Sequence, residues 1–419
     1  MLRSGPARRL VCAVGIALAL GTSVRGSRAA ADASADKEVR GLWVLRTSLV
    51  SPKAIDAVVR TAESAGFNTL MVQVRGRGEA YYQSAIEPRA SELDGQPASF
   101  DPLAYTLAAA QKAGLRVHAW VNVDFVSSAV TLPRSRQHVV ARHPEWLMVP
   151  KPLVAELRGL DPRSPAYVGA LARWTRGAST TVEGLYVSPI PQAAQDYTLS
   201  VITEIVSRYA VDGVHLDYAR YPNELFDYSA AAVSDFRAFK VPAVAARERQ
   251  RLDQAALKDP AVWTSMFPDG YAAFRRDRLT ALVRRVQSAV KAARPGVIVS
   301  AAVSPDPQAA RAQRLQDWSG WASARFLDVV CPMAYTANLT EFSDAVSKVK
   351  TAAAGLPVWA GIGAWQMPAS QTVEHVRAAR RAGAPGVLLF SYDALAASDA
   401  KPASYFASLR SALLGLSPD

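Results

Sequence analysis

The stretch from Val211 to Pro222, VDGVHLDYARYP, places a carboxylate where a short apolar run stops. Strand alternation puts Gly213, His215 and Asp217 on one face, with Val214 and Leu216 on the other. Pro222 ends any regular element just beyond Tyr221. An acid at the last inward position of a buried strand, followed by Tyr218 and Arg220, suits proton transfer to a bond held above the strand end. An Asp that merely caps the next element looks the same locally. Asp217 therefore needs partners, and a fold that delivers them.

Other strand ends supply candidates. The second apolar run leads into RGRGEAYY, bringing Arg75, Glu79 and Tyr81 to its mouth. The third ends in Trp120, Asn122 and Asp124, the fifth in Ser304 and Asp306, and the sixth in Met333 and Tyr335. The seventh runs toward Trp365, and the eighth ends in Tyr392 and Asp393. A rim of carboxylates and aromatics suits a sugar cleft. One carboxylic acid protonates the leaving oxygen, a second carboxylate acts as base or nucleophile, and aromatic faces stack on pyranose rings. Asp217 is the leading catalytic candidate, with Glu79 or Asp393 as partner. Arg75, Tyr81, Trp120, Asn122, His215, Tyr218, Arg220, Tyr335, Trp365 and Tyr392 are candidates for binding substrate. Plainer roles stand beside these: Arg75 paired with a rim acid, His215 hydrogen-bonded in the core, Trp43, Trp120 and Trp359 closing a barrel interior, and Asp124 and Asp306 as caps.

The elements that must position these residues alternate strand and helix from Val39 onward, the pattern of a parallel α/β fold. Strands are expected at 39–45, 67–74, 115–123, 213–218, 297–303, 327–334, 357–361 and 387–392. The helices between them include one over 52–65 begun by Pro52, one over 102–113, one near 195–209, one over 271–293 and a single helix near 311–322. Ala-Gly pairs at 65–66, 113–114 and 382–383 mark helix ends before a strand. Eight such pairs predict a single (β/α)8 TIM barrel over residues 38–419, larger than the roughly 250 residues typical of that fold. The excess lies in two βα loops after strands three and four, Asp124–Ala194 and Asn223–Gly270, both on the functional face. Neither carries enough apolar periodicity to predict a core of its own.

The 419 residues, half of them apolar, suffice for a large core. Arg3, Arg8 and Arg9 precede an apolar run from Leu10 to Leu20, and small residues follow from Ala29. That order predicts a signal peptide over residues 1–31, a short linker over 32–37, and export to the periplasm, envelope or medium. The formal charge of +12 counts five arginines ahead of the first acid, so the mature chain is only mildly basic at +7. No basic-aromatic motif points to nucleic acid, and no second long apolar stretch predicts stable membrane insertion. Cys331 alone remains after processing, a core thiol within an apolar strand. There is no HExxH, CxxC, P-loop or GxSxG motif, RGRG lacks dinucleotide spacing, and five histidines are too few for a His-rich metal site. The expectation is a monomer without cofactor or metal whose partner is a glycan.

The motifs QVRGRGEAYY (73–82), HAWVN (118–122), HPEWLM (143–148), VDGVHLDYARYP (211–222) and FRRDRLTALVRR (274–285) together resemble the glycosyl-hydrolase-like ten family of bacterial envelope TIM-barrel proteins. The resemblance covers nearly all of the mature chain. It implies glycosidase chemistry, on peptidoglycan strands stripped of their stem peptides in characterised relatives. It also implies that Asp217 matches the family's strand-four carboxylate, the leading catalytic candidate, and that Glu79 matches an acidic position of the strand-two motif. The chain departs from the family at Tyr218, where many members have a second Asp. In GLYVSPIPQ (184–192), Tyr186 and Ser188 stand for Trp and Asn. A non-catalytic glycan-binding protein, or a hydrolase of an exopolysaccharide such as poly-N-acetylglucosamine, are the alternative readings.

Overall fold

A computed structural model of the chain describes residues 38–397 and 402–415. The expected signal peptide and linker, with Cys12, lie outside the described residues. The strands in chain order are β1 (Val39–Val44), β2 (Thr69–Arg75), β3 (Arg116–Asn122), β4 (Phe125–Ser127), β5 (Leu185–Tyr186), β6 (Gly213–Asp217), β7 (Ile298–Val303), β8 (Val329–Pro332), β9 (Trp359–Gly363) and β10 (Gly386–Phe390). All but β4 and β5 form one parallel sheet in the order β8-β7-β6-β3-β2-β1-β10-β9. Parallel bridges Val330–Val358 and Met333–Gly361 bring its two edges together, and the result is a (β/α)8 TIM barrel.

Local chemistry explains the alternation. Every residue of β1 and β2 is buried, as strands covered on both faces must be. Helices begin where a short polar side chain caps and Pro follows. Ser51 accepts from Ala54 N before Pro52, and Asp101 accepts from Ala104 N before Pro102. The helix Pro52–Ala65 ends at Gly66, whose φ of 85° only glycine adopts without strain and whose N–H reaches the Ala62 and Glu63 carbonyls. Trp43, Met71, Trp120, Cys331, Trp359 and Leu388 fill the barrel interior, while a larger apolar cluster lies between sheet and helices. The single helix expected near 311–322 is two, Pro307–Gln313 and Trp318–Ser323, because Leu315 turns left-handed (φ 53°) and Asp317 caps the second.

The two long βα connections carry structure of their own. After β3 the chain forms an antiparallel ribbon of β4 and β5 with the helix Pro165–Gly177 between them. Val140, Leu147, Val149, Leu157, Leu171 and Val187 make a separate apolar cluster there, contrary to the expectation of no local core. Its elements run from two to thirteen residues, and most are too short for a period to show in sequence. The segment after β6 instead leans on the barrel, packing Phe236 against Tyr271 and Phe274 of the helix Pro268–Ala293.

Candidate active site

The barrel register sets the first contact. Asn122 of β3 pairs with Asp217 of β6, and Trp120 pairs with His215, so four residues of two motifs share one corner of the C-terminal mouth. Trp120 Nε1 donates to Asp217 Oδ2 at 3.1 Å and to Asn122 Oδ1 at 3.0 Å. The Tyr218 backbone N–H donates to Asp217 Oδ1 at 2.7 Å. Asn122 Nδ2 in turn holds the Gly76 carbonyl at 2.8 Å, tying the loop after β2 to the same corner. Burial pushes the Asp217 carboxyl above the usual range, against the pull of Arg220 and the two N–H donors; nearby Glu183 pushes the same way as burial.

Asp217 opens into a cleft of about 360 Å³ whose floor includes Trp43, Gln73 and Trp120 and whose walls include Tyr218, Tyr335 and Phe390. Tyr218 sits in the left-handed region (φ 51°), which turns the chain sharply after Asp217. Its ring lies 4.9 Å from that of Phe125 and 4.5 Å from the Arg220 guanidinium. On the opposite wall Tyr335 meets Trp43 and Phe390 edge-on or tilted, and the 44 % exposed Trp365 extends that wall at 5.0 Å from Tyr335.

A second carboxylate lines this cleft, and sequence reasoning missed it. Glu183 stands just before β5, on the ribbon that the first long connection folds over the mouth. It pairs with Arg220 at 3.1 Å and accepts from the Tyr186 hydroxyl at 2.6 Å. Burial pushes its carboxyl up, but Arg220 and Tyr186 more than offset this, and the group lies below the ordinary glutamate range. Gly184 makes the placement possible. A Cβ there would stand 2.1 Å from the Ser127 carbonyl oxygen of β4. The available signal was an acid immediately before the GLYVSPIPQ segment.

Other expected residues lie elsewhere. Asp393 accepts from Leu45 N at 2.6 Å, Ser48 Oγ at 2.5 Å and Thr47 Oγ1 at 3.1 Å, latching the loop after β1 instead of facing the cleft. Glu79 lines a neighbouring polar pocket, where burial and Glu92 push it up to about 7. Arg75 is fully buried beneath the mouth, paired with Glu87 at 2.7 Å and donating to the Asn122 and Val123 carbonyls, so it positions the end of β3. His215 is a core residue, bound to Ser300 Oγ at 2.9 Å and accepting from Trp43 Nε1 at 3.2 Å. Burial, with His118, pushes it down to about 3, so it stays neutral beneath Trp120. Tyr81 is buried away from the cleft, and Tyr392 stacks on Phe406. Asp306 caps the helix Pro307–Gln313, and Trp359 packs on His118, as their plainer readings had it. Among the described residues no three His, Cys, Asp or Glu side chains converge as a metal site would require, and no helix is long and apolar enough to cross a membrane.

Residues 38–363 match the model of the glycosyl hydrolase-like 10 family. The chain belongs to this family. Among curated relatives it is 25 % identical over 299 residues to glycosyl hydrolase YngK of Bacillus subtilis (strain 168), covering 67 % of this chain and 48 % of that one. It is 27 % identical over 288 residues to glycosyl hydrolase DigH of Escherichia coli (strain K12), covering 64 % and 55 %. The chain thus spans about half the length of these relatives. Among solved structures, the glycoside hydrolase domain of PgaB (BpsB) from Bordetella bronchiseptica superposes with a TM-score of 0.61 over 90 % of this chain and 99 % of that domain. At 13 % identity that likeness speaks to the fold alone. The segments that carried the resemblance lead to the mouth: QVRGRGEAYY forms the end of β2 and its loop, HAWVN ends β3, and VDGVHLDYARYP is β6 with the turn after it. Tyr218 and Tyr186 both border the cleft acids, Tyr218 as a wall and Tyr186 as the donor to Glu183.

Proposed function

We propose that this member of the glycosyl hydrolase-like 10 family is an exported glycoside hydrolase. Its substrate is a cell-envelope glycan, with peptidoglycan strands lacking stem peptides as the favoured polymer. The observation that carries the reading is the pair of carboxylates in one cleft with opposite displacements, Asp217 toward the neutral acid and Glu183 toward the anion. Groups pushed apart in this way divide the roles of acid and base. Asp217 delivers its proton to the glycosidic oxygen as the bond to the anomeric carbon breaks. The Glu183 carboxylate stabilises the positive charge that develops on that carbon, and water then adds its oxygen there and gives its proton to the Asp217 carboxylate, which restores the acid. Tyr218, Tyr335 and Trp365 offer ring faces and edges to the sugars. Export rests on the charged, apolar, small-residue order of the first 31 residues.

Asp217→Asn and Glu183→Gln test this directly. Each should cut release of reducing ends from amidase-treated sacculi by about 10²–10⁴-fold, the usual weight of a general acid or base. Equal release by Asp217→Asn and the wild type would sink the enzyme reading. No release by any form, together with retained glycan binding, would favour a lectin-like protein. Comparing intact sacculi, denuded strands and poly-N-acetylglucosamine then assigns the polymer.

A further inference from the structure

The RGRG turn does more than connect β2 to the next segment. Its backbone is pinned on both sides of Arg77: the Gly76 carbonyl accepts from Asn122 Nδ2 at 2.8 Å, and the Arg77 carbonyl bonds to His138 Nε2 at 2.7 Å. The side chain is not pinned. Arg77 is half-buried, its Nε is buried without a hydrogen-bond partner, and the acids Glu92 and Glu79 act on it through space without pairing, Glu92 standing 4.0 Å from Arg46 Nε. A buried guanidinium nitrogen without a partner is one that a ligand oxygen can satisfy.

Arg77 lines the Asp217 cleft and also the neighbouring polar pocket of about 480 Å³, so its side chain borders both. Both volumes are in the range of ligand sites, about 300–1,000 Å³. The second pocket offers hydroxyls of Ser127, Ser128 and Ser135, which suit sugar hydroxyl or amide groups. The cleft itself carries Arg46, Arg77 and Arg220 against Glu183 and Asp217, of which Asp217 is driven toward its neutral form. Arg220 is already paired with Glu183, which leaves Arg46 and Arg77 as the cleft's other cations; across from them in the second pocket stand Glu92, Asp94 and Glu79, the last pushed up to about 7 by burial.

We propose that Arg77 is the anchor of a sugar subsite that grips a carboxylate substituent on the glycan, beside the scissile bond. The planar fork of guanidinium matches a carboxylate in two parallel bonds, and the pinned turn means little loop ordering is spent on binding. The protein then selects glycans with acidic sugars over otherwise identical neutral ones. This rests on the glycoside hydrolase reading for its substrate class, and it concerns a contact separate from the proton transfer.

The test reads binding, so it stands whether or not a bond is cut. Asp217→Asn protein is titrated calorimetrically with an N-acetylglucosamine–N-acetylmuramic acid oligosaccharide and with the same oligosaccharide after its carboxyls are reduced to alcohols. The acidic form should bind about tenfold or more tightly, the weight of a charge-assisted bond, with the difference shrinking as salt is raised. Adding Arg77→Gln should abolish the difference, while Arg77→Lys, which keeps the charge without the fork, should retain part of it. Circular dichroism confirms that each variant is folded. Equal affinity for both oligosaccharides overturns the carboxylate subsite and leaves the glycan reading intact. A preference that survives Arg77→Gln assigns it to another residue and overturns the role given to Arg77. Binding of neither oligosaccharide overturns both.

Discussion

The Trp120 indole N–H is shared between Asp217 Oδ2 at 3.1 Å and Asn122 Oδ1 at 3.0 Å. One donor on β3 therefore holds both the candidate acid and the amide that anchors the β2 loop. The bond to Asp217 favours its anion and moderates the upward push of burial. Trp120→Phe removes that donor, so the Asp217 pKa should rise further. With Asp217 acting in its protonated form, the alkaline limb of the pH–rate profile should move to higher pH, while lost positioning lowers the maximum by about tenfold or more. An alkaline limb that stays put would detach Asp217 from the acid role.

Glu79 shows the same physics without the cleft. Its folded pKa is raised from 4.5 to about 7 by burial and Glu92. A carboxyl raised on folding contributes stability below its unfolded pKa and loses it as pH rises through the folded value. Wild type and Glu79→Gln should therefore be equally stable near pH 4. The variant should be the more stable above pH 7, by about 1 kcal/mol once solvent screening of this partly exposed group is allowed for. Urea midpoints at the two ends of that window check the sign.

Gly184 is a spacing requirement for Glu183. With a Cβ only 2.1 Å from the Ser127 carbonyl, Gly184→Ala forces β5 away from β4 and carries Glu183 with it. The expected result is a loss of about 1–3 kcal/mol in stability from overpacking and a fall in kcat/KM larger than that loss explains. Unchanged kcat/KM would show that Glu183 does not need its observed place.

The Arg75–Glu87 pair is structural. Both side chains are buried, and Tyr197 Oη adds a bond to Glu87 at 3.0 Å. Glu87→Gln leaves a buried guanidinium without its counter-charge, which should cost about 3–5 kcal/mol in urea unfolding. A change under about 1 kcal/mol would mean that the carbonyls of Asn122 and Val123 suffice for Arg75.

The barrel was legible before any coordinates because its signals are local. Apolar runs buried on both faces, Ser-Pro and Asp-Pro helix starts and Ala-Gly helix ends recur along the chain, and alternation alone put Asp217 at the inward end of its strand. The same alternation carried Trp120 and Asn122 to the mouth, since one pleat governs neighbouring strands. It could not separate Glu79, Asp393 and Glu183. Which acid faces Asp217 depends on how 62 residues between Asn122 and Leu185 fold back over the rim, and that return is set by contacts of high sequence separation. Arg75 and His215 likewise read as site residues because strand position shows a side chain's direction but not its depth. Only the closed barrel decided that Arg75 lies beneath the mouth with Glu87, that His215 lies under Trp120, and that Arg77, two residues beyond Arg75, borders the cleft with its Nε unpartnered.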